Sequence, residues 1–180
     1  MLKLFRVTNF KNYKDTVELS LETANQYDFN MAAVENNIVK HAIIYGENAS
    51  GKTNIGYALF DIVIHLTDNN RKLQNYRLYK HMDCQNKPVV FHYEFLINGV
   101  SVIYDYEKAS CQVLLRESLK INDREVLNYD YERKCGYTRL AGSENLSINL
   151  SESGISIVKY VKNNAVLDNS VEENQVFIKF

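Results

Sequence analysis

Eight consecutive residues carry the chemistry of this sequence. Gly46-Glu47-Asn48-Ala49-Ser50-Gly51-Lys52-Thr53 fits the pattern G-x-x-x-x-G-K-[ST] of a phosphate-binding P-loop. Each residue type has a physical reason to be there. Glycines such as Gly46 and Gly51 allow backbone angles that a side chain resists. The N–H groups of such a loop turn inward and form an anion nest. A helix starting near Gly51 would aim its positive end at the phosphates. Lys52 supplies a compact cation for the β- and γ-phosphates, and Thr53 a hydroxyl for Mg²⁺. Glu47, Asn48, Ala49, Ser50 and the following Asn54 complete the expected nucleotide site. Its cofactors are ATP and Mg²⁺, with Thr53 as the metal-side residue.

The flanking elements must position that loop. Val39 to Tyr45 is an apolar run that reads as a buried strand ending at Gly46. From Lys52 the pattern turns helical, with Ile55, Ala58, Leu59, Ile62 and Leu66 on one face. Asp61 lies off that stripe and reads as a solvated residue. Upstream, Leu2 to Phe10 and Val17 to Leu21 read as two paired strands. Beyond Pro88, Phe91, Tyr93, Phe95 and Ile97 alternate with His92, Glu94 and Leu96. Asn98-Gly99 is a type I′ hairpin turn, and Val100, Val102, Tyr104 and Tyr106 form the apolar face of the return strand. A second hairpin, Val113 to Ile121 and Val126 to Tyr131, turns near Asn122-Asp123. Ile155 to Val161 reads as a short helix, and Gln175 to Phe180 opens a further apolar element.

Composition sets limits. The 180 residues are 46% hydrophobic and 24% charged, with 21 basic against 22 acidic side chains. That excludes a disordered chain and a polybasic arm. No apolar run reaches the roughly 20 residues of a membrane span. Three widely spaced cysteines (Cys84, Cys111 and Cys135) make neither a zinc pattern nor a disulfide framework, which favours a reducing, cytoplasmic setting. Cys111 has no neighbouring base, and His65 and His81 have no ligand-spaced partner. The stretch 71–81 mixes Arg71, Lys72, Arg77, Lys80 and His81 with Tyr76 and Tyr79. It offers phosphate and stacking contacts to a nucleic acid, but the net charge of -1 gives no support.

Hydrolysis needs a second acidic element, an apolar strand ending in Asp, often followed by Glu. The dipeptide Asp-Glu is absent from the sequence. Asp105 follows Val102-Ile103-Tyr104, yet the alternation there makes it a half-exposed residue of an antiparallel strand. A self-sufficient small kinase or GTPase would have to use it.

With these residues in view, the chain resembles ABC-type ATPases of the SMC, RecF and OLD kind. The resemblance is carried by Leu4-Phe5-Arg6-Val7-Thr8-Asn9-Phe10-Lys11-Asn12-Tyr13 and by Ile43-Ile44-Tyr45-Gly46-Glu47-Asn48-Ala49-Ser50-Gly51-Lys52-Thr53-Asn54. It is strongest to a group of bacterial "AAA family" ATPases tied to abortive infection and phage defence. It implies an α/β fold: a P-loop NTPase (ABC-ATPase-like) lobe, an incomplete head, with an inserted antiparallel β-subdomain. Residues 1–68 would hold the N-terminal strands, Walker A and its helix, 87–134 the β-subdomain, and 135–180 a loosely assigned remainder. The implied partner is a homodimer mate or second ATPase head, driving an effector nuclease or toxin. Turnover would need Walker B and signature elements from a missing C-terminal part or a partner, so this chain alone would bind ATP without efficient hydrolysis. The resemblance also allows Lys11 to approach the phosphates; the other reading of Lys11 is a solvated turn lysine. It leaves the glutamine loop open between Gln74 and Gln85. Leu150-Ser151-Glu152-Ser153-Gly154 has only a faint likeness to a signature loop. Val176 to Phe180 then falls where Walker B would begin, but Lys179 interrupts it and no carboxylate follows. The alternative reading is a β-rich interaction module with a vestigial P-loop.

Overall fold

A computed structural model describes residues 1–25, 31–67, 76–148, 150 and 155–180. Its centre is a seven-stranded sheet. The strands are β1 (Leu2–Thr8), β2 (Val17–Ser20), β5 (Val89–Ile97), β6 (Val100–Ser110), β7 (Val113–Ile121), β8 (Arg124–Asp130) and β9 (Cys135–Thr138). They lie in the order β2-β1-β5-β6-β7-β8-β9, and every neighbouring pair is antiparallel. A separate two-stranded ribbon pairs β3 (Val34–Glu35) with β4 (Ile38–Val39).

Turn chemistry explains the meander. At Asn98-Gly99 and at Asn122-Asp123 both central residues have positive φ. That geometry matches the twist of a two-residue hairpin and forces antiparallel return. Alternation then sorts the side chains. Phe5, Tyr93, Tyr104, Leu119 and Leu127 form one cross-strand row on the buried face. Glu18, Arg6, His92, Asp105, Ser118, Asn128 and Tyr137 form a polar row on the other face. Arg6 Nε reaches Glu18 Oε2 at 2.6 Å, and His92 Nδ1 reaches Asp105 Oδ1 at 2.6 Å.

The helices are short and all cover the buried face. α1 (Lys52–Leu59) and α2 (Asp61–Leu66) form one rod broken at Phe60; α3 is Ile157–Asn164 and α4 is Glu172–Lys179. The Tyr93 hydroxyl donates to the Ala58 carbonyl at 3.0 Å, docking α1. Glu117, buried on the same face, accepts from Ser156 Oγ at 2.6 Å and from the Ile157 N–H at 2.9 Å. It also accepts from the hydroxyls of Tyr104 and Tyr131. Ser156 is the N-cap of α3, so one buried carboxylate fastens that helix start to β7. Phe180 closes α4 against the rings of Phe95 and Tyr104.

Several expectations need correction. The chain is not an α/β P-loop NTPase lobe with an inserted β-subdomain. β1 lies directly beside β5, so the opening strands and the later hairpins share one antiparallel sheet. Parallel strands require crossovers of a dozen or more residues, whereas β5 to β9 return through short turns and β5, after the long connection from β2, pairs antiparallel with β1. The strand expected over Val39 to Tyr45 is also absent. Pairing stops at Val39, and Ile43 and Tyr45 are 89% exposed. An apolar run becomes a buried strand only beside strands that accept its backbone bonds, and no described strand flanks residues 41–45. Val176 to Phe180, considered as the start of a Walker B strand, belongs instead to α4 and its cap.

Asp61 is the remaining correction. It is fully buried rather than solvated, because it shares the i, i+3, i+4, i+7 face of Ala58, Ile62 and His65 that packs on the sheet, while Phe60 is exposed. Its Oδ2 lies 2.6 Å from Lys108 Nζ, with both side chains 0% exposed. Tyr79 donates to Oδ1 at 2.9 Å and Tyr106 to Oδ2 at 3.1 Å. Lys108 continues the buried face of β6 after Tyr104 and Tyr106, and a lysine there requires an anion. His65 lies alongside, its Nε2 2.8 Å from the Tyr104 hydroxyl. Burial holds its pKa well below that of an ordinary histidine.

Two outcomes follow from this packing. Lys108→Met strands a buried carboxylate and should cost about 3–5 kcal/mol by urea unfolding, most of it recovered in Lys108→Met/Asp61→Leu. On the polar face, the hydrogen bond to Asp105 and then Glu94 raise the His92 pKa above 6.5. A raised histidine stabilises fully below its unfolded pKa, and the gain is lost as pH rises through the folded value. Stability should therefore fall by a few tenths of a kcal/mol above pH 6.5. His92→Gln should flatten that slope in urea titrations.

Candidate functional site

Residues 46–54 lie at the start of α1, where the β1–β2 connection meets the first helical rod. Gly51 is the N-cap, in left-handed backbone at φ 98, and Ala49 takes the other left-handed position at φ 64. Gly46 does not use positive φ. No side chain caps α1, and the N–H groups of Lys52 and Thr53, at its first two positions, have no acceptor within the helix.

Lys52 folds back into its own loop. Its Nζ donates to the Gly46 carbonyl at 2.8 Å, to the Glu47 carbonyl at 2.5 Å and to Ser50 Oγ at 3.4 Å. The ammonium thus sits inside the ring of main chain that precedes it. Glu47, Asn48, Ala49 and Ser50 are exposed around it, and Thr53 is exposed on the first turn of α1. Anionic oxygens could approach the N–H groups of Lys52 and Thr53 at the uncapped helix start, while the ammonium would first have to leave the Gly46 and Glu47 carbonyls.

Sequence reasoning missed the brace behind the loop. The Tyr13 hydroxyl donates to the Gly51 carbonyl at 2.7 Å, the same oxygen that accepts the N–H groups of Asn54 at 2.7 Å and Ile55 at 3.1 Å. Asn54 Nδ2 donates to Asn12 Oδ1 at 2.6 Å. Burial raises the Tyr13 pKa, which keeps the phenol a neutral donor. A Cβ on Gly51 would lie 2.6 Å from Asn12 Nδ2 and 2.9 Å from the Tyr13 hydroxyl. Gly51 therefore answers both a backbone angle and a lack of space. The signal was present in sequence as Asn12-Tyr13, but only the fold brings it to the loop.

Lys11 is directed elsewhere. Its N–H donates to the Tyr79 carbonyl at 3.0 Å, and its Nζ lies 3.5 Å from the Leu78 carbonyl and 5.5 Å from the Tyr57 ring centre. Burial lowers its pKa. Asp105 lies on the face of β6 opposite Tyr106, which touches the helical rod, so strand alternation turns it away from α1. Gln85 is exposed and donates to the His81 carbonyl at 2.7 Å, holding a local turn. Gln74 and residues 151–154 of the signature-like wording lie outside the described residues. Within 71–81, Tyr76 and Tyr79 are core residues rather than stacking platforms, with hydroxyls on the Tyr57 carbonyl and Asp61. Residues 71–75 lie outside the described residues.

The residues present fit a nucleoside triphosphate in part. Lys52, the loop backbone and the start of α1 suit phosphates. Thr53 offers one oxygen for Mg²⁺, and no cluster of three metal-binding side chains exists among the described residues. No described helix is long and apolar enough to cross a membrane.

Gly51→Ala should lose about 1–2 kcal/mol from left-handed strain and more from the clash with Asn12. Tyr13→Phe should lose about 0.5–1.5 kcal/mol for one hydrogen bond. Urea unfolding measures both, and Ser50→Ala should change stability far less. No family model matches this sequence, and comparison with curated proteins finds no match.

Proposed function

We propose that residues 46–54 bind the phosphates of a magnesium nucleotide, with ATP as the ligand suggested by the motif. The observation that carries this reading is the Lys52 ammonium, gathered within its own loop at an uncapped helix start. The main-chain N–H groups of Gly51 to Thr53 would receive phosphate oxygens. Lys52 would exchange its carbonyl partners for them, and Thr53 would face the metal.

Binding is the whole of the proposal for the described residues. Asp61 is committed to Lys108, and Asp105 is turned to the other face. Water activation would therefore come from another protein element. The exposed apolar stretch Ala42 to Tyr45, next to the loop, is a fitting place for that element to pack. On the sequence resemblance alone, the partner is a second nucleotide-binding chain, the setting cytoplasmic and the process phage defence. The second reading, a β-rich interaction module with a vestigial loop, draws on the seven-stranded sheet.

Calorimetric titration with ATP and Mg²⁺ separates them. Wild type should bind, and Lys52→Ala should bind about 100-fold more weakly or not at all. Equal affinity in both, or binding in neither, would leave the interaction module. Turnover by the purified chain, abolished by Asp105→Asn, would contradict the need for a partner.

A further inference from the structure

A groove of about 950 Å³ runs along the helical side and shares no residue with the loop. One wall and the floor are apolar, with Ile62 and Leu66 of α2 facing Phe95 of β5 and the terminal Phe180. The lining also carries Lys159 and Lys162 of α3 and Lys179 of α4. The sole side-chain carboxylate among the described lining residues is Glu35, already paired with Lys40 at 2.9 Å.

An apolar floor does not identify an occupant; the charge in the lining does. Lys162 Nζ lies 5.7 Å above the Phe177 ring centre and 5.8 Å above that of Phe180, at the edge of the apolar floor. A neutral occupant would desolvate these cations without pairing them, at a cost. A carboxylate on a single acyl chain would answer only one. A helix with apolar side chains on one face and several carboxylates along its flank answers both surfaces at once.

We propose that this groove docks an acidic amphipathic helix of a partner protein, its apolar face on Ile62, Leu66, Phe95 and Phe180 and its carboxylates on Lys162 and Lys179. The probe is a fluorescein-labelled peptide with Leu at i, i+3, i+4 and i+7 and Glu on both flanks. Anisotropy should give saturable binding. NMR should place the shifted signals at Ile62, Leu66 and Phe95. The exposed pair Lys162→Glu/Lys179→Glu should weaken binding about tenfold or more, as should replacing the flanking Glu by Lys or scrambling the sequence. Raising the salt concentration should weaken binding to the unaltered protein in the same direction. Undiminished binding to the charge-reversed protein, equal binding of the Lys-flanked peptide, or shifts outside the groove would overturn the proposal. Palmitate binding without peptide binding would overturn it in favour of an acyl-anion site.

Discussion

The buried pair between Asp61 and Lys108 is the constraint on which the rest depends. It joins the helical rod that carries the loop to the middle of the sheet, at 2.6 Å and out of contact with water. Two tyrosines saturate the same carboxylate. One of them, Tyr79, reaches it from the segment before β5, so three separate stretches of chain meet at one charge. A buried ion pair is a weak source of net stability, but removing one partner is costly. It therefore fixes where α2 sits more than it deepens the energy well.

From that anchor the loop inherits its position. α1 is held by Tyr93 on the Ala58 carbonyl, and its start is braced by Tyr13 on the Gly51 carbonyl. The loop itself is exposed, yet its helix end is tied from two directions. That support holds the start of α1 in place, while Lys52 itself is bonded to the Gly46 and Glu47 carbonyls of the loop. On the neighbouring strand β7, Glu117 does for α3 what Asp61 does for α2. The groove with Lys162 and Lys179 lies between these two fastened helical units.

Local signals were legible in the sequence. Asn98-Gly99 and Asn122-Asp123 specify tight antiparallel returns through their own backbone preferences, and period-two alternation marks Val100 to Tyr106 as a half-buried strand. The loop motif and the helix that follows it were equally readable, because Gly51, Lys52 and the apolar spacing act within a few residues. What failed depended on partners distant in sequence. Ile43 to Tyr45 is apolar enough for a buried strand, but no spacing rule says whether strands lie beside it. Asp61 looked solvated because it lies off the apolar stripe, and the partner that lets it be buried, Lys108, stands 47 residues further along the chain. Lys108, standing on the apolar face of its strand, was the overlooked sign that a buried anion had to exist.

The loop at Lys52, on the function proposed here, receives phosphates through its main chain. Amide NMR during titration with ATP and Mg²⁺ tests this directly. The N–H signals of Gly51, Lys52 and Thr53 should shift saturably with the nucleotide and stay in place with adenosine. Unmoved signals at these three residues, or equal shifts with adenosine, would contradict it.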